Sequence, residues 1–202
     1  MGRSGAGKSS LTAALFRMTE IEGTVLIDEV DTGKVGLKYL RSKLSILPQE
    51  PILFPISLRK NLDPLEEYDD ATLWSALQDV ELNNVFTSLD LTLDQHNLST
   101  GQCQLLCLAR AILKKNKILI LDEATANVDS NTDLLIQKTI RDKFKDCTVL
   151  TIAHRLNTVM DCDKILVIDH GKIVEYDHPK VLLKKNDGYF FQLARQSNMV
   201  VR

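Results

Sequence analysis

The chain has 202 residues, 44% of them hydrophobic and 26% charged, with a formal net charge of −2. That length holds one domain, or one domain with a small subdomain, around a sizeable core. The near-neutral balance gives no electrostatic case for nucleic acid or an anionic membrane surface, and no apolar run approaches the roughly 20 residues that span a bilayer.

Residues 2–10 (GRSGAGKSS) follow the spacing Gly, four residues, Gly-Lys, then Ser or Thr. In such a loop consecutive N–H groups turn inward and cradle an oxyanion. The candidates are therefore Gly2, Arg3, Ser4, Gly5, Ala6, Gly7, Lys8, Ser9 and Ser10. Lys8 supplies a point charge for terminal phosphates, and the Ser9 hydroxyl a ligand for Mg2+. A helix is predicted from Ser9 to Met18, with Leu11, Ala14, Leu15 and Met18 on its inner face and its N-terminus aimed at the phosphates.

Residues 23–28 (GTVLID) alternate and predict a strand. Gly33 and Gly36 mark a loop, residues 37–41 one helical turn, and Leu44–Leu47 a short apolar strand stopped by Pro48. Gln49 follows at the strand's end, where open α/β sheets place ligand-contacting groups. Its carbonyl could ligate Mg2+ and its amide orient a water, although a loop glutamine is more often simply solvated.

Ser57 caps a short turn through Asn61, which Pro64 ends. Asp69 and Asp70 cap a helix over 71–80 with Leu73, Trp74 and Leu77 inward, and a second short helix is predicted over 84–89. The stretch 98–102 (LSTGQ) opens a long helix to about Lys115, capped by Ser99 or Thr100. A cap explains the serine but not Gly101, which costs about 1 kcal/mol relative to Ala in a first turn. A small residue there makes sense if a phosphate must approach closely.

Ile118–Leu121 predicts a buried parallel strand, and it runs into Asp122-Glu123. Adjacent carboxylates at such a place are costly without a task. Asp122 can hold Mg2+ and Glu123 can polarise an attacking water. A loop over 124–129, a helix over 133–144 with Leu134, Ile136 and Ile140 inward, and a buried strand over 148–152 lead to His154, at yet another strand end. A hairpin turning at His170-Gly171 and helices over 179–185 and 189–196 close the chain. Cys103, Cys107, Cys147 and Cys162 have no further ligand at metal spacing and read as reduced thiols. The pattern is α/β: three layers on a parallel sheet core, with an inserted helical lobe.

The order phosphate loop, Gln49, LSTGQ, ILILDE, Asp129, His154 resembles the nucleotide-binding domain of ATP-binding cassette (ABC) transporters. Residues 44–51 (LSILPQEP), 61–64 (NLDP), 119–129 (LILDEATANVD) and 151–156 (TIAHRL) are similar to the second nucleotide-binding domain of the C subfamily, nearest to its multidrug-resistance-associated protein 4-like branch. The resemblance implies a P-loop NTPase fold, with a catalytic core over 1–52 and 116–202, incomplete at its N-terminus, and a helical subdomain over 53–115. It implies ATP and Mg2+ as cofactors, and ATP hydrolysis driving export of organic anions or conjugates.

In that family's terms Gly2–Ser10 would be the Walker A loop, and Ser9, Gln49 and Asp122 the Mg2+ ligands. Glu123 would be the general base, with Gln49 and His154 as further catalytic groups. Ser99, Thr100, Gly101 and Gln102 would form the signature motif that serves ATP on an opposite domain, and Asp129 a dimer contact. The implied partners are transmembrane domains and a second nucleotide-binding domain in a head-to-tail sandwich, with no nucleic acid and no membrane insertion of this chain. The implied place is the cytoplasmic face of a membrane, foremost the plasma membrane.

Three departures accompany the resemblance. Thr100 stands where many relatives have glycine. The segment 93–97 is shorter than in relatives and lacks their Glu-x-Gly stretch. Met1 alone precedes Gly2, where relatives carry a strand and an adenine-stacking aromatic residue. These motivate an alternative expectation, a truncated nucleotide-binding or regulatory fragment that does not hydrolyse ATP.

Overall fold

The computed structural model describes residues 1–2, 5–94, 97–152 and 159–196. In chain order the described elements are α1 (Lys8–Leu15), β1 (Leu26–Ile27), β2 (Val30–Asp31), a 3₁₀ turn (Thr32–Lys34), α2 (Leu37–Ser42), β3 (Leu44–Leu47), α3 (Leu58–Leu62) and α4 (Asp70–Asp79). They continue with α5 (Thr100–Lys114), β4 (Ile118–Asp122), α6 (Ser130–Lys143), β5 (Thr148–Ile152), β6 (Ile165–Asp169), β7 (Lys172–Asp177), α7 (Pro179–Leu182) and α8 (Tyr189–Gln196). The chain forms two compact units, one of Met1–Leu37 with Thr151–Arg202 and one of Lys38–Leu150.

In the first unit, α1 stops at Leu15, short of the predicted end at Met18. Arg17 takes a left-handed conformation (φ 49°), and its guanidinium donates to the carbonyls of Thr32 (3.0 Å) and Val35 (2.8 Å). That turn redirects the chain, so the predicted inner face is wrong in part. Leu11 is 40% and Met18 63% exposed, whereas Thr12 and Phe16 are buried. The predicted strand over 23–28 shrinks to β1, because Asp28 (φ 47°) and Glu29 (φ 67°) reverse the chain into β2. Two successive left-handed residues are the requirement of the tightest hairpin turn.

The hairpin β6–β7 forms as predicted, antiparallel, with its turn at His170 (φ 46°) and Gly171 (φ 73°). A separate core of Val159, Ile165, Val167, Leu182, Phe190 and Ala194 backs it. On β7, the Glu175 carboxylate accepts the Phe190 N–H at 2.7 Å. It thereby satisfies one of the orphan amides that open α8. Met1 lies alongside β6: the Ile168 N–H donates to its carbonyl at 2.8 Å, and its amino group donates to the Leu166 carbonyl.

In the second unit, β3 and β4 pair in parallel, from Leu44 opposite Ile118 to Leu47 opposite Leu121. The strand order of their sheet is β3-β4-β5. Leu44, Leu47, Leu119, Ile120 and Leu121 are buried, as an apolar run without alternation requires. β5 was expected to be equally buried, yet only Ile152 is, and Val149 is exposed.

The helix α5 is buried almost all round, from Gly101 through Leu113, which marks it as a central rather than a surface helix. One apolar cluster joins Leu58, Leu73, Leu77 and Leu82 to Leu106, Leu121 and Ile136. Residues 53–115 thus share a core with β3, β4 and α6. The division between the units falls after Leu37 and after Leu150.

Two more expectations change here. Residues 84–89 form turns, not a helix. The chain past them runs beside α3, where the carbonyls of Leu89 and Leu91 accept the Arg59 and Leu58 amides, both at 2.8 Å. The sixth helix begins at Ser130, three residues early, because Asp129 accepts the Asn131 and Thr132 amides. Ile136 and Ile140 face inward as predicted, but Leu134 is 66% exposed.

Asn61 ties the irregular segment between β3 and α3. Its amide nitrogen reaches the carbonyls of Phe54 (2.9 Å), Ile56 (3.2 Å) and Ser57 (3.1 Å), and its oxygen accepts the Phe54 N–H at 3.0 Å. Arg110, on α5, clamps this knot from behind. Its Nε donates to the Asn61 carbonyl (2.6 Å), one Nη to the Ile52 carbonyl (2.6 Å) and the other to Asn61 Oδ1 (2.8 Å). No carboxylate takes part; the planar fork is used to collect backbone and amide oxygens. Asn61→Ala should lower unfolding free energy by about 2–4 kcal/mol. Urea denaturation with an unchanged slope checks it, and a loss below about 0.5 kcal/mol would contradict this account of the knot.

Candidate functional site

The phosphate loop belongs to the first unit, and the hairpin β6–β7 holds it at two points. A Cβ on Gly2 would stand 2.2 Å from the Ile168 carbonyl oxygen, so no side chain fits there. Further on, the Gly171 N–H donates to the Ala6 carbonyl at 3.0 Å. Between these points Gly5 (φ 77°) and Gly7 (φ 105°) adopt backbone conformations that L side chains rarely take.

Gly7 also occupies the cap position of α1, and no side chain accepts a hydrogen bond there. A helix start without a capping side chain is a place suited to an anion. Lys8 is buried, and its Nζ donates across the loop to the Gly2 carbonyl at 2.9 Å. An ammonium above a glycine cradle has the charge and the donors that a polyphosphate requires. Ser9 and Ser10 are exposed at the start of the helix. Arg3, Ser4 and His154 lie outside the described residues.

The second unit carries the other candidates. Because Leu47 pairs with Leu121, Gln49 and Glu123 each lie two residues past the last registered pair, at the same sheet edge. Gln49 is exposed; Asp122 and Glu123 are half-buried. Glu123 has a left-handed backbone (φ 50°), an unfavourable state costing roughly 1–2 kcal/mol for a residue with a Cβ. The turn that imposes it is closed by the Ala126 N–H on the Glu123 carbonyl at 2.9 Å. Strain of this kind clusters where a side chain must be aimed.

At the head of α5, Ser99 and Gln102 form a reciprocal cap. The Ser99 hydroxyl accepts the Gln102 N–H (3.1 Å), and the Gln102 side-chain oxygen accepts the Ser99 N–H (2.9 Å). Of the two predicted caps it is Ser99, with Thr100 as the first helical residue. Gly101 has a reason beyond phosphate approach, because a Cβ there would meet Thr132 Cγ2 at 2.9 Å. The first turns of α5 and α6 are in contact at that point. Thr132 in turn is held by Asp129, whose carboxyl stays below its ordinary range because the Thr132 and Asn131 amides stabilise its charge.

Several residues at these places have no counterpart among the predicted ones. Gln104, Arg110 and Thr132 shape the surroundings of Gln49 and Gly101, and the His170-Gly171 turn supports the phosphate loop. The signal for the first two was two polar side chains on the inward stripe of an otherwise apolar helix. Cys103 and Cys107 share that stripe as free thiols, and burial pushes both above the usual thiol range.

A Gly-x4-Gly-Lys-Ser loop and a parallel strand pair ending in Gln49 and Asp122-Glu123 define a P-loop nucleotide-binding protein. The family described as ABC transporter matches residues 1–126, and the chain belongs to that family. Human ATP-binding cassette sub-family C member 4 is 56% identical over 97% of this chain and 15% of its own length. The Drosophila melanogaster protein described as probable multidrug resistance-associated protein lethal(2)03659 is 54% identical over 98% of this chain and 15% of its own length. Rat ATP-binding cassette sub-family C member 2 is 53% identical over 98% and 13%. The chain spans about 15% of the length of these relatives, and its membership of the ABC family gives it the P-loop NTPase fold.

If Thr132 is what excludes a side chain at Gly101, Gly101→Ala should cost about 1–3 kcal/mol by overpacking. Adding Thr132→Ala should then restore more than half of that loss. Equal melting of the single and double variants would contradict the steric account.

Proposed function

We propose that this chain binds ATP with Mg2+, hydrolyses it, and thereby powers export of organic anions or conjugates as part of an ABC transporter. The observation that carries this reading is the β3–β4 register, which brings Gln49 and the Asp122-Glu123 pair to one sheet edge in a chain that also bears a complete phosphate loop.

In this reading the Gly2–Ser10 backbone and Lys8 bind the β- and γ-phosphates, with Lys8 moving its donors from the Gly2 carbonyl to phosphate oxygens. Ser9, Gln49 and Asp122 would hold Mg2+, a hard cation suited to hydroxyl, amide and carboxylate oxygens. When bound, Mg2+ neutralises charge that develops on the transferred phosphoryl group. Glu123 accepts a proton from the attacking water, aimed by its left-handed backbone and the turn behind it. Gln49 orients that water, and His154 would contact the γ-phosphate.

Ser99, Thr100, Gly101 and Gln102 would serve ATP held by a second nucleotide-binding domain in a head-to-tail pair, and Asp129 would lie at that dimer contact. Ser99 and Gln102, bonded to each other as a cap, would exchange those bonds for contacts to that ATP. Transmembrane domains are the other proposed partner. The segment knotted by Asn61 supports a protein contact: Ile52, Phe54 and Ile56 are 60%, 57% and 42% exposed while their backbone is fixed. No helix among the described residues is long and apolar enough to cross a membrane. The proposed place is the cytoplasmic face of the plasma membrane, and the proposed position is the second nucleotide-binding domain of a C-subfamily transporter.

Glu123→Gln should cut ATP turnover by about 10²–10⁴-fold while leaving ATP binding intact. Turnover independent of Glu123, or none in the wild type, would overturn the hydrolytic reading and favour a nucleotide-binding or regulatory fragment.

A further inference from the structure

Gln104 is fully buried, at 0% exposure, on the inward stripe of α5. Its Nε2 has two hydrogens and uses both: one goes to the Pro48 carbonyl at 2.8 Å and one to the Gln49 carbonyl at 3.1 Å. Among the described residues no donor reaches its Oε1. Flipping the amide would set that oxygen against two carbonyl oxygens, so the pair of acceptors fixes the orientation. A buried acceptor without a donor costs about 1–3 kcal/mol, and a leucine of similar volume would avoid that cost. Core filling therefore does not account for a glutamine here; two donors aimed at two adjacent carbonyls do.

Those carbonyls stand just past Leu47, the last residue of β3 paired with β4, where no strand neighbour holds them. The grip comes from the helix whose first turn carries Ser99–Gln102. Gln104 follows Gln102 by two residues, roughly half a turn. Farther along the same helix, Arg110 holds the Ile52 and Asn61 carbonyls, each at 2.6 Å. Both ends of the segment from Pro48 to Ile52 are thus fastened to one rigid rod.

We propose that Gln104 is a positioning residue that couples Gln49 to the head of α5. A shift or rotation of the Ser99–Gln102 turn carries the Pro48 and Gln49 carbonyls with it, and so moves the Gln49 side chain toward or away from the metal it serves. This rests on the reading of Gln49 as a Mg2+ ligand given above.

The test is Gln104→Leu in the full chain, which removes both donors together with the unpaired acceptor. Turnover at saturating ATP should fall about 10-fold, and the Mg2+ concentration for half-maximal turnover should rise about 10-fold. Binding of a fluorescent ATP analogue without Mg2+ should change less than about 2-fold, since the phosphate loop is untouched. In a Gln49→Ala background the same substitution should add nothing. Full additivity with Gln49→Ala, or unchanged turnover and Mg2+ dependence, would overturn the proposal.

Native-state hydrogen exchange without nucleotide gives a readout independent of hydrolysis. Amides of Gln49, Glu50, Ile52 and Leu53 and of 99–103 should open with matching free energies in the wild type and with different ones in Gln104→Leu. Openings already different in the wild type would overturn the coupling, even if ATP turnover depends on Glu123. Matching openings in a chain without turnover would instead refute only the hydrolytic reading. Should Gln104→Leu not fold, Gln104→Met carries both measurements.

Discussion

The second unit depends on a few buried polar side chains that hold backbone carbonyls. Between β3 and the bridge that joins Ser57 to Thr92 the chain runs through residues 48–55 outside any strand, and buried backbone oxygens must still be satisfied. Gln104, Arg110 and Asn61 do this among them through nine hydrogen bonds that involve Pro48, Gln49, Ile52, Phe54, Ile56, Ser57 and one another. None of these side chains is an ion-pair partner there. Burial lowers the Arg110 guanidinium from its ordinary value, so its charge is held at a cost in a mostly apolar setting. An extended, mostly irregular segment is thereby made as definite as a strand, and its apolar side chains Ile52 and Phe54 are left facing out.

The candidate chemistry sits at the margins of that rigid frame. Parallel pairing of β3 with β4 decides which residues leave the sheet together, and a shift of one residue would exchange the faces of every side chain beyond Leu47 and Leu121. The left-handed backbone at Glu123 is tolerated because β4 is buried on one side and the Ala126 amide closes the turn on the other. In the first unit a comparable economy operates. The phosphate loop is rich in glycine, and Ile168 and Gly171 of the β6–β7 hairpin hold it from outside.

Much of this was legible in the sequence where a local rule has no rival. The apolar run of β3 stopped by Pro48, a cap at Ser99 or Thr100 and the turn at His170-Gly171 each follow from one or two residue types. The family resemblance was legible from the motif order. The misreadings share a cause: a distant group claimed the backbone. Residues 84–89 have helical spacing, but the chain beyond them is drawn alongside α3, where Leu89 and Leu91 accept the Arg59 and Leu58 amides. Met18 has the right period to face inward, but Arg17 turns the chain toward Thr32 and Val35. Gly101 looked like a ligand-driven glycine, and contact with Thr132, some 30 residues on, was not visible in a local pattern.

The central claim is that the phosphate loop holds the nucleotide and that the ends of β3 and β4 serve its metal. Calorimetric titration of ATP into the wild type, Lys8→Ala and Asp122→Asn, each with and without Mg2+, tests it most directly. The account predicts that Lys8→Ala loses binding under both conditions, whereas Asp122→Asn loses only the gain that Mg2+ brings. Wild-type affinity in Lys8→Ala, or an undiminished Mg2+ effect in Asp122→Asn, would contradict it.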